Sequence, residues 1–336
     1  MPEPSKKYRL VFMGTPEFSV PTLKALYSDS RFEICAVYTQ PDRPVGRGMQ
    51  VQQSPVKRTA LEMGLPVFQP EKLTLPFGVD QVLAINHLRE LAPDFLVVVA
   101  YGQILRKEVI DCPRFGCVNI HSSLLPRWRG AAPIQWAILA GDQKTGVSTM
   151  KIVQKLDAGD VLLQAETEIS KTDTAQSVHD RLAKMGSELI VPTLLGLAEG
   201  SLQAQVQDEA KVTVAIKLSR ELEALDVNSK SASALDRQVR ALNPWPGTSV
   251  YLDVNGKAER LKIKRASSHE GLSIEPGVLS EKMGMLLLGT PSGALEVQVC
   301  QLDGKKETDA AGFINGLKGR GLSLPLKTRS THEENK

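Results

Sequence analysis

The stretch Asp94-Phe-Leu-Val-Val-Val-Ala-Tyr101 is the most hydrophobic run in this 336-residue chain, and its apolar residues do not alternate with polar ones. A strand with one buried face alternates apolar and polar residues, whereas a strand buried on both faces does not. The run therefore predicts a central strand of a parallel sheet. Strand and helix patterns alternate around it up to about Gly200, which favours a doubly wound α/β sheet with helices on both faces.

The segments that precede and follow this run fit the same architecture. Arg9–Met13 predicts a first strand, apolar residues at helical spacing predict a helix over Glu17–Tyr27, and Phe32–Thr39 predicts a second strand. Cys117–Ile120 predicts another strand after the central one. Ligands bind at the carboxyl ends of strands in open α/β sheets, so we expect a functional site where these strands end.

The sequence changes character after Gly200. Ser201–Glu209 is polar and glutamine-rich, which is typical of a linker, and short strand patterns dominate beyond it. The turns Asn255-Gly256 and Ser292-Gly293 are typical of β-hairpins. Five short strands are predicted in this part, which favours a small β-barrel of the OB type; they are Val212–Ile216, Ser249–Val254, Leu261–Lys264, Met285–Leu288 and Ala294–Gln298. We accordingly expect one domain over residues 1–206, a second over 207–326 and a polar tail over 327–336.

Composition narrows the classes of protein. No apolar run approaches the roughly 20 residues that a membrane-spanning helix needs, and the polar segment Met1–Lys7 does not have the pattern of a signal peptide. The four cysteines are scattered, which favours buried reduced thiols and a cytoplasmic location. No set of His, Cys and carboxylate residues has metal-ligand spacing, so no metal site is expected. The net charge of +3 permits an RNA partner only through a local basic patch.

Asn119 and His121 are the strongest candidates for chemistry. Residues i and i+2 of a strand point to the same face, so the amide and the imidazole lie side by side at a strand end. An amide donates a fixed hydrogen bond, and a histidine donates one and also exchanges a proton near neutral pH. Together they are suited to holding an oxyanion and moving a proton. The alternative is a capping asparagine beside a structural histidine.

Asp157 lies in the loop Leu156-Asp157-Ala-Gly-Asp160 between two predicted strands. A carboxylate near His121 would stabilise the imidazolium form. The alternative is a turn aspartate that binds its own backbone. Neither the dinucleotide-binding glycine pattern nor the Walker pattern is present, which disfavours a nicotinamide or ATP cofactor.

Two basic features are candidates for RNA contact. The loop Arg43-Pro-Val-Gly-Arg47-Gly48 follows the second predicted strand, and Arg260, Lys262 and Lys264 alternate with Leu261 and Ile263 along a later one. Alternation places the three cations on one face, where they either bind phosphates or form an ordinary solvated surface. Trp245, within Asn243-Pro-Trp-Pro-Gly247, is predicted to be a packing anchor in a rigid turn.

The motifs Asn119-Ile-His121, Ser123-Leu-Leu-Pro126-Arg-Trp-Arg-Gly130 and Leu156-Asp157-Ala-Gly-Asp160 resemble those of the folate-dependent formyltransferases. Val11–Phe18, Thr39–Gly48 and Asn243–Gly247 resemble the methionyl-tRNA formyltransferases within that superfamily. The resemblance extends from Tyr8 to about Leu324. It implies a Rossmann-like formyltransferase domain followed by an OB-like tRNA-binding barrel, usually in a monomer.

The resemblance also implies roles for individual residues. Asn119, His121 and Asp157 would be catalytic. Ser123, Leu124, Leu125, Pro126 and Gly102 would line the folate site; Arg43, Arg47, Lys262 and Lys264 would contact tRNA. The co-substrate would be 10-formyl-tetrahydrofolate, with no tightly bound cofactor, and the acceptor would be charged initiator tRNA.

Three alternatives remain open at this point. The acceptor amine could belong to a sugar nucleotide, the enzyme could be a formyl-folate hydrolase in which water replaces the amine, or the chain could be a non-catalytic RNA-binding protein that has kept the fold.

Overall fold

A computed structural model of the protein describes residues 7–45, 50–71, 73 and 79–329. The chain forms two compact units. The first comprises Met1–Pro133, Lys144–Glu168 and His179–Ala215, and the second comprises Ile134–Gln143, Ile169–Val178 and Ile216–Lys336. The boundary that we placed after residue 206 stays a prediction. None of the described helices combines the length and the apolar character needed to span a membrane.

The strands of both units are numbered in chain order: β1 (Tyr8–Gly14), β2 (Phe32–Tyr38), β3 (Arg43–Val45), β4 (Gln50–Gln52), β5 (Val67–Phe68), β6 (Phe95–Val99), β7 (Cys117–His121), β8 (Arg129–Gly130), β9 (Lys144–Lys151), β10 (Val161–Glu168), β11 (Val214–Ala215), β12 (Ser249–Val254), β13 (Lys257–His269), β14 (Val278–Lys282), β15 (Met285–Gly289), β16 (Ala294–Leu302), β17 (Thr308–Asp309) and β18 (Leu326–Arg329). The α-helices are α1 (Val20–Ser28), α2 (Pro55–Glu62), α3 (Val79–Leu91), α4 (Lys107–Ile110), α5 (Pro133–Ala140), α6 (Ala175–Glu199), α7 (Ala232–Leu242) and α8 (Ala310–Lys318). Short 3-10 helices cover Glu17–Ser19, Glu209–Lys211 and Arg220–Glu223.

Seven described strands of the first unit form one sheet in the order β10-β9-β7-β6-β1-β2-β5. The pairs from β5 to β7 are parallel, and β9 and β10 continue the sheet in antiparallel pairing. All five residues of β6 are buried, as the unbroken apolar run predicted. The predicted α/β sheet is confirmed.

The register brings several strand ends to one edge of this sheet. Gly14 at the end of β1 pairs with Val99 at the end of β6, and Val98 pairs with Asn119 near the end of β7. Polar residues that follow these strands therefore share an edge, which is where a ligand site is expected.

The second unit contains a closed antiparallel barrel. Its strands follow the order β13-β12-β18-β14-β15-β16, and pairing between β13 and β16 closes the ring. Leucine, isoleucine and valine side chains from every second position fill the interior, including Leu252, Leu261, Ile263, Leu288 and Leu295. The predicted small barrel is thus confirmed, and closure leaves none of these six strands with a free edge.

Two parts of the barrel differ from the prediction. Val214–Ala215, within the predicted strand Val212–Ile216, pairs with β8 in the first unit and is not a barrel strand. Residues 327–329, which we assigned to the polar tail, belong to β18 and pair with both β12 and β14. These residues form a strand because β18 closes the gap between β12 and β14, and Arg329 forms an ion pair with Asp253 at 2.9 Å. Residues 330–336 lie outside the described chain.

Candidate active site

Asn119 and His121 lie on the same face of β7, as the two-residue period of a strand requires. Strand β7 is an interior strand, paired with β6 on one side and β9 on the other, and the two residues lie at its carboxyl end. His121 is buried and Asn119 is half-buried. Within the described residues, the Asn119 amide has no protein partner for hydrogen bonding, and its donor is therefore available to a ligand.

The two ring nitrogens of His121 have different surroundings. Nε2 lies 2.8 Å from the carbonyl oxygen of Trp128, and a carbonyl only accepts, so Nε2 carries hydrogen and donates it. Nδ1 lies 3.8 Å from Oδ2 of Asp157, which is too far for a hydrogen bond but close enough for an ion pair when the ring is protonated. Nε2 thus anchors the ring, and Nδ1 is the nitrogen left for proton exchange.

The Asp157 side chain forms a hydrogen bond that holds the residue in place, although its backbone conformation is strained. Its Oδ2 accepts a hydrogen bond of 2.9 Å from the backbone N–H of Gly130. Its φ of 48° lies in the left-handed region, which costs free energy for a residue with a Cβ. Two nearby residues also have positive φ: Ala100, which follows β6, and Trp128, whose carbonyl contacts His121. Such strain concentrates at functional sites.

Gly159 keeps the Asp157 loop close to the end of β9. A Cβ at this position would lie 1.8 Å from the carbonyl oxygen of Lys151. We expect Gly159→Ala to lower the free energy of unfolding by about 1–3 kcal/mol, because the loop must move away from the strand. Thermal and urea unfolding measure this change. Gly316→Ala in α8 is the control, since its Cβ meets no atom within 4 Å; an equally stable Gly159→Ala would contradict the expectation.

Gln207 connects the Asp157 loop to the loop that carries Trp128. Its Nε2 donates to the carbonyl oxygens of Asp157, at 2.9 Å, and Gly159, at 2.7 Å, while its Oε1 accepts from Arg129 Nε at 2.9 Å. Both side chains are buried. The sequence interpretation missed Gln207, because it lies in the polar segment Ser201–Glu209 that was predicted to be a linker.

Glu209 extends this network to the surface. Both terminal nitrogens of the Arg129 guanidinium donate to its Oε1, and Lys155 donates to Oε2 at 2.7 Å. The hydrogen bond from Lys155, followed by that from Arg129, holds the pKa of Glu209 below its usual range. Arg129 is therefore a buried cation whose charge is paired with Glu209 and whose donors bind Gln207 and Glu209.

The segment Ser123–Pro126 follows β7 and is fixed by the buried hydroxyl of Ser148. Ser148 Oγ donates to the Ser123 carbonyl at 2.6 Å and accepts from the Leu125 N–H at 3.0 Å. Gln164 donates to Ser148 Oγ and to the Leu125 carbonyl. Ser123 and Leu125 are buried, whereas Leu124 and Pro126 are half-buried. Ser148 and Gln164 gave no signal in the sequence.

Gly102 lies just past the end of β6, on the same edge as Asn119. Its φ of 82° favours glycine, and its backbone is exposed. The preceding carbonyl, that of Tyr101, accepts hydrogen bonds from Thr15 Oγ1 at 2.9 Å and Gln40 Nε2 at 3.2 Å. These contacts tie the ends of β1, β2 and β6 together beside the candidate site.

Arg43 is exposed on the hairpin formed by β3 and β4, opposite Gln52. The base of the hairpin is braced by Asp42, which accepts from Lys57 at 2.5 Å and from Gln69 at 2.8 Å. The hydrogen bond from Lys57 lowers the pKa of Asp42 from its usual value. Arg47, which we predicted to contact RNA, lies outside the described residues.

Lys262 and Lys264 share the outward face of β13 with Arg260, while Leu261 and Ile263 point into the barrel, as their alternation predicted. Lys262 forms an ion pair with Asp303 at 2.7 Å, and Arg260 pairs with Glu223 and more distantly with Asp303. Lys264 has no ion-pair partner among the described residues. The free positive charge on this face is thus smaller than the sequence suggests.

Across the described ranges, no cluster of three or more His, Cys, Asp or Glu side chains is arranged to hold a metal ion.

Comparison with protein-family models gives two matches. A model described as formyl transferase matches residues 8–194, and a model described as formyl transferase, C-terminal domain, matches residues 217–318. The first match contains Asn119, His121 and Asp157, and the second contains most of the barrel.

Individual proteins are similar over nearly the whole chain. The methionyl-tRNA formyltransferase of Methylococcus capsulatus is 47% identical over 317 residues, which cover 94% of this chain and 99% of the relative. That of Coxiella burnetii is 45% identical over 91% of this chain and 95% of its own length.

Solved structures share the fold at lower identity. WlaRD, a sugar 3N-formyl transferase, has a TM-score of 0.63 with 17% identity, over 90% of this chain and all of that one. HypX from Aquifex aeolicus in complex with tetrahydrofolic acid has a TM-score of 0.59 with 19% identity, over 97% of this chain and 51% of its own.

Proposed function

Because the chain belongs to the methionyl-tRNA formyltransferase family, we propose that it transfers the formyl group of 10-formyl-tetrahydrofolate to the α-amine of methionyl initiator tRNA. The observation that carries the proposal is the grouping of Asn119, His121 and Asp157 at one sheet edge, with an unpaired amide beside an anchored imidazole. A cytoplasmic, monomeric enzyme is part of the same proposal.

The reaction is a transfer of an acyl group from one nitrogen to another. The neutral amine attacks the formyl carbon, a new C–N bond forms, and the carbonyl oxygen becomes an oxyanion. Asn119 donates a hydrogen bond to that oxyanion from its free amide, and protonated His121 donates a second from Nδ1. Strand β7 fixes the backbone of both residues and the Trp128 carbonyl anchors the imidazole, which limits reorganisation during the reaction.

Collapse of the intermediate breaks the bond between the formyl carbon and the folate nitrogen. The attacking amine loses one proton and the departing folate nitrogen gains one, and His121 Nδ1 relays it. Asp157 stabilises the positive ring from 3.8 Å, which is too far to accept a hydrogen bond from Nδ1, so this N–H remains available to the substrate. No covalent enzyme intermediate is needed.

The remaining predicted residues take binding roles in this proposal. Ser123, Leu124, Leu125, Pro126 and Gly102 line the folate site. Ser123 contributes by bracing the loop, because its hydroxyl donates to the Arg127 carbonyl at 2.6 Å. Arg43 and Arg47 contact the acceptor end of the tRNA. Lys264 contacts tRNA phosphates from the outer face of β13, and Lys262 does so by exchanging its Asp303 partner for a phosphate.

The decisive experiment supplies the purified protein with 10-formyl-tetrahydrofolate and one acceptor at a time: charged initiator tRNA, charged elongator tRNA or an amino-sugar nucleotide. We expect rapid formylation of the initiator tRNA only. Preferential transfer to the sugar, or release of formate in the absence of any acceptor, would replace the proposal by the corresponding alternative. RNA binding without any transfer would indicate a non-catalytic protein.

Gln207 is proposed as a positioning residue for this reaction. Gln207→Leu removes the two hydrogen bonds that Gln207 Nε2 donates to the Asp157 loop, and we expect kcat to fall on the order of 10- to 100-fold, because small displacements of catalytic groups are costly. The KM for tRNA should change much less. Gln205→Leu is the matched control, since Gln205 is exposed in the same segment. An unchanged kcat, or a loss that falls only on KM, would contradict the role.

A further inference from the structure

An open cleft of about 400 Å³ lies beside the outward face of β13 on the second unit. Its lining combines one large aromatic side chain with several cations. The residues that matter here are Trp245, Arg220, Glu223, Arg260, Lys262 and Lys264. We refer to it as the Trp245 cleft. It is large enough for one nucleotide, since small-molecule sites begin at roughly 300 Å³.

Trp245 is 53% exposed, although the sequence predicted a packing anchor. It is the one exposed aromatic side chain among the described residues of the second unit. No residue in the described ranges accepts a hydrogen bond from its indole N–H. Proline on both sides restricts the backbone, so the ring is presented with little loss of freedom on binding. An exposed indole held in this way is typical of a binding surface.

The charge around the indole favours an anionic ligand. Four cations line the Trp245 cleft, against the single carboxylate of Glu223. Glu223 neutralises Arg260, and Asp303 neutralises Lys262. Lys264 and the exposed Arg220 have no ion-pair partner among the described residues, so these two retain their charge for a ligand.

We infer that the Trp245 cleft binds one unpaired nucleotide of the tRNA, with its base stacked on the indole and its phosphate held by Lys264 and Arg220. A flat apolar ring beside free cations matches the two halves of a nucleotide, and single-stranded RNA is commonly bound by this combination. A base inside a duplex cannot present its face to the indole. The inference rests on the proposed function only in taking tRNA as the RNA that binds.

The test compares Trp245→Leu, which keeps apolar bulk, with Trp245→Phe, which keeps an aromatic face. We measure binding of uncharged tRNA, a single-stranded oligonucleotide and a blunt RNA duplex over a range of salt concentrations. Trp245→Leu should weaken binding of tRNA and oligonucleotide about tenfold, and Trp245→Phe should lose much less. Neither variant should alter duplex binding or the dependence of affinity on salt, because no phosphate contact is lost.

Lys264→Ala should instead reduce the salt slope by about 1, because it removes one phosphate contact. Met283→Ala is the control for loss of an exposed apolar side chain outside the cleft. Equal losses of duplex and single-strand binding in Trp245→Leu would overturn the inference, as would unchanged binding of tRNA and oligonucleotide by this variant. Because binding is measured without turnover, a wild-type protein that fails to formylate tRNA would refute the proposed function and leave this result standing.

Discussion

Replacement of His121 by alanine is expected to lower kcat for formyl transfer by about 100-fold or more, while the affinity for charged tRNA changes little. The imidazole contributes a donor and a charge that are needed only as the oxyanion develops, and removal of one such donor costs on the order of 10²–10³ in kcat. Single-turnover kinetics with saturating folate and tRNA measure the change.

His121→Gln separates catalysis from the structural role of the ring. The glutamine amide can reproduce the anchor from Nε2 to the Trp128 carbonyl, but it offers no group that carries a proton at the position of Nδ1. This variant should unfold at nearly the wild-type temperature and lose as much activity as His121→Ala. Substantial turnover in either variant would show that the proton moves by another route.

The sequence predicted those parts of the fold and site that depend on local periodicity. The strand pattern of Cys117–Ile120 placed Asn119 and His121 on one face, and the unbroken apolar run before Tyr101 identified β6 as a central strand. The helix predicted over Glu17–Tyr27 is confirmed as a 3-10 turn followed by α1. In each case a side-chain period of two or 3.6 residues is visible within a few residues of sequence.

Contacts between distant segments could not be predicted in this way. Gln207 meets Asp157 across 50 positions and Arg129 across 78. The composition of Ser201–Glu209 does not distinguish a segment packed against the candidate site from a solvated linker. Strand β18 was missed for a similar reason, since Leu326–Arg329 contains one large apolar residue and becomes a strand only because β12 and β14 leave a gap.

The solvent exposure of Trp245 also differs from what its residue type predicts. Composition predicts that a tryptophan between two prolines packs in the interior, because tryptophan is highly buried on average. The barrel already fills its interior with aliphatic side chains, and the rigid turn leaves Trp245 outside. The sequence also does not reveal which carboxylates neutralise Arg260 and Lys262. Their partners, Glu223 and Asp303, are distant in sequence from β13.

Asp157→Asn tests the role of the carboxylate charge while leaving the geometry of the loop nearly unchanged. Its Oδ2 both accepts from Gly130 and faces His121 Nδ1 at 3.8 Å. In Asp157→Asn the side-chain oxygen can still accept from Gly130, so the loop should keep its position, but the imidazolium loses its counter-charge. Asp157→Ala removes both the hydrogen bond and the charge, and it therefore serves as the structural comparison.

We expect Asp157→Asn to lower kcat about 100-fold or more, in the range usual for loss of acid–base assistance, with an unfolding temperature close to that of the wild type. Asp157→Ala should lose similar activity and also unfold at a lower temperature, because the Gly130 N–H is left without its partner. Steady-state kinetics on charged initiator tRNA and thermal unfolding of all three proteins provide the measurements. If Asp157→Asn retained a third or more of the wild-type kcat, the carboxylate would be a loop brace and the charge on His121 would have to be stabilised by the substrate.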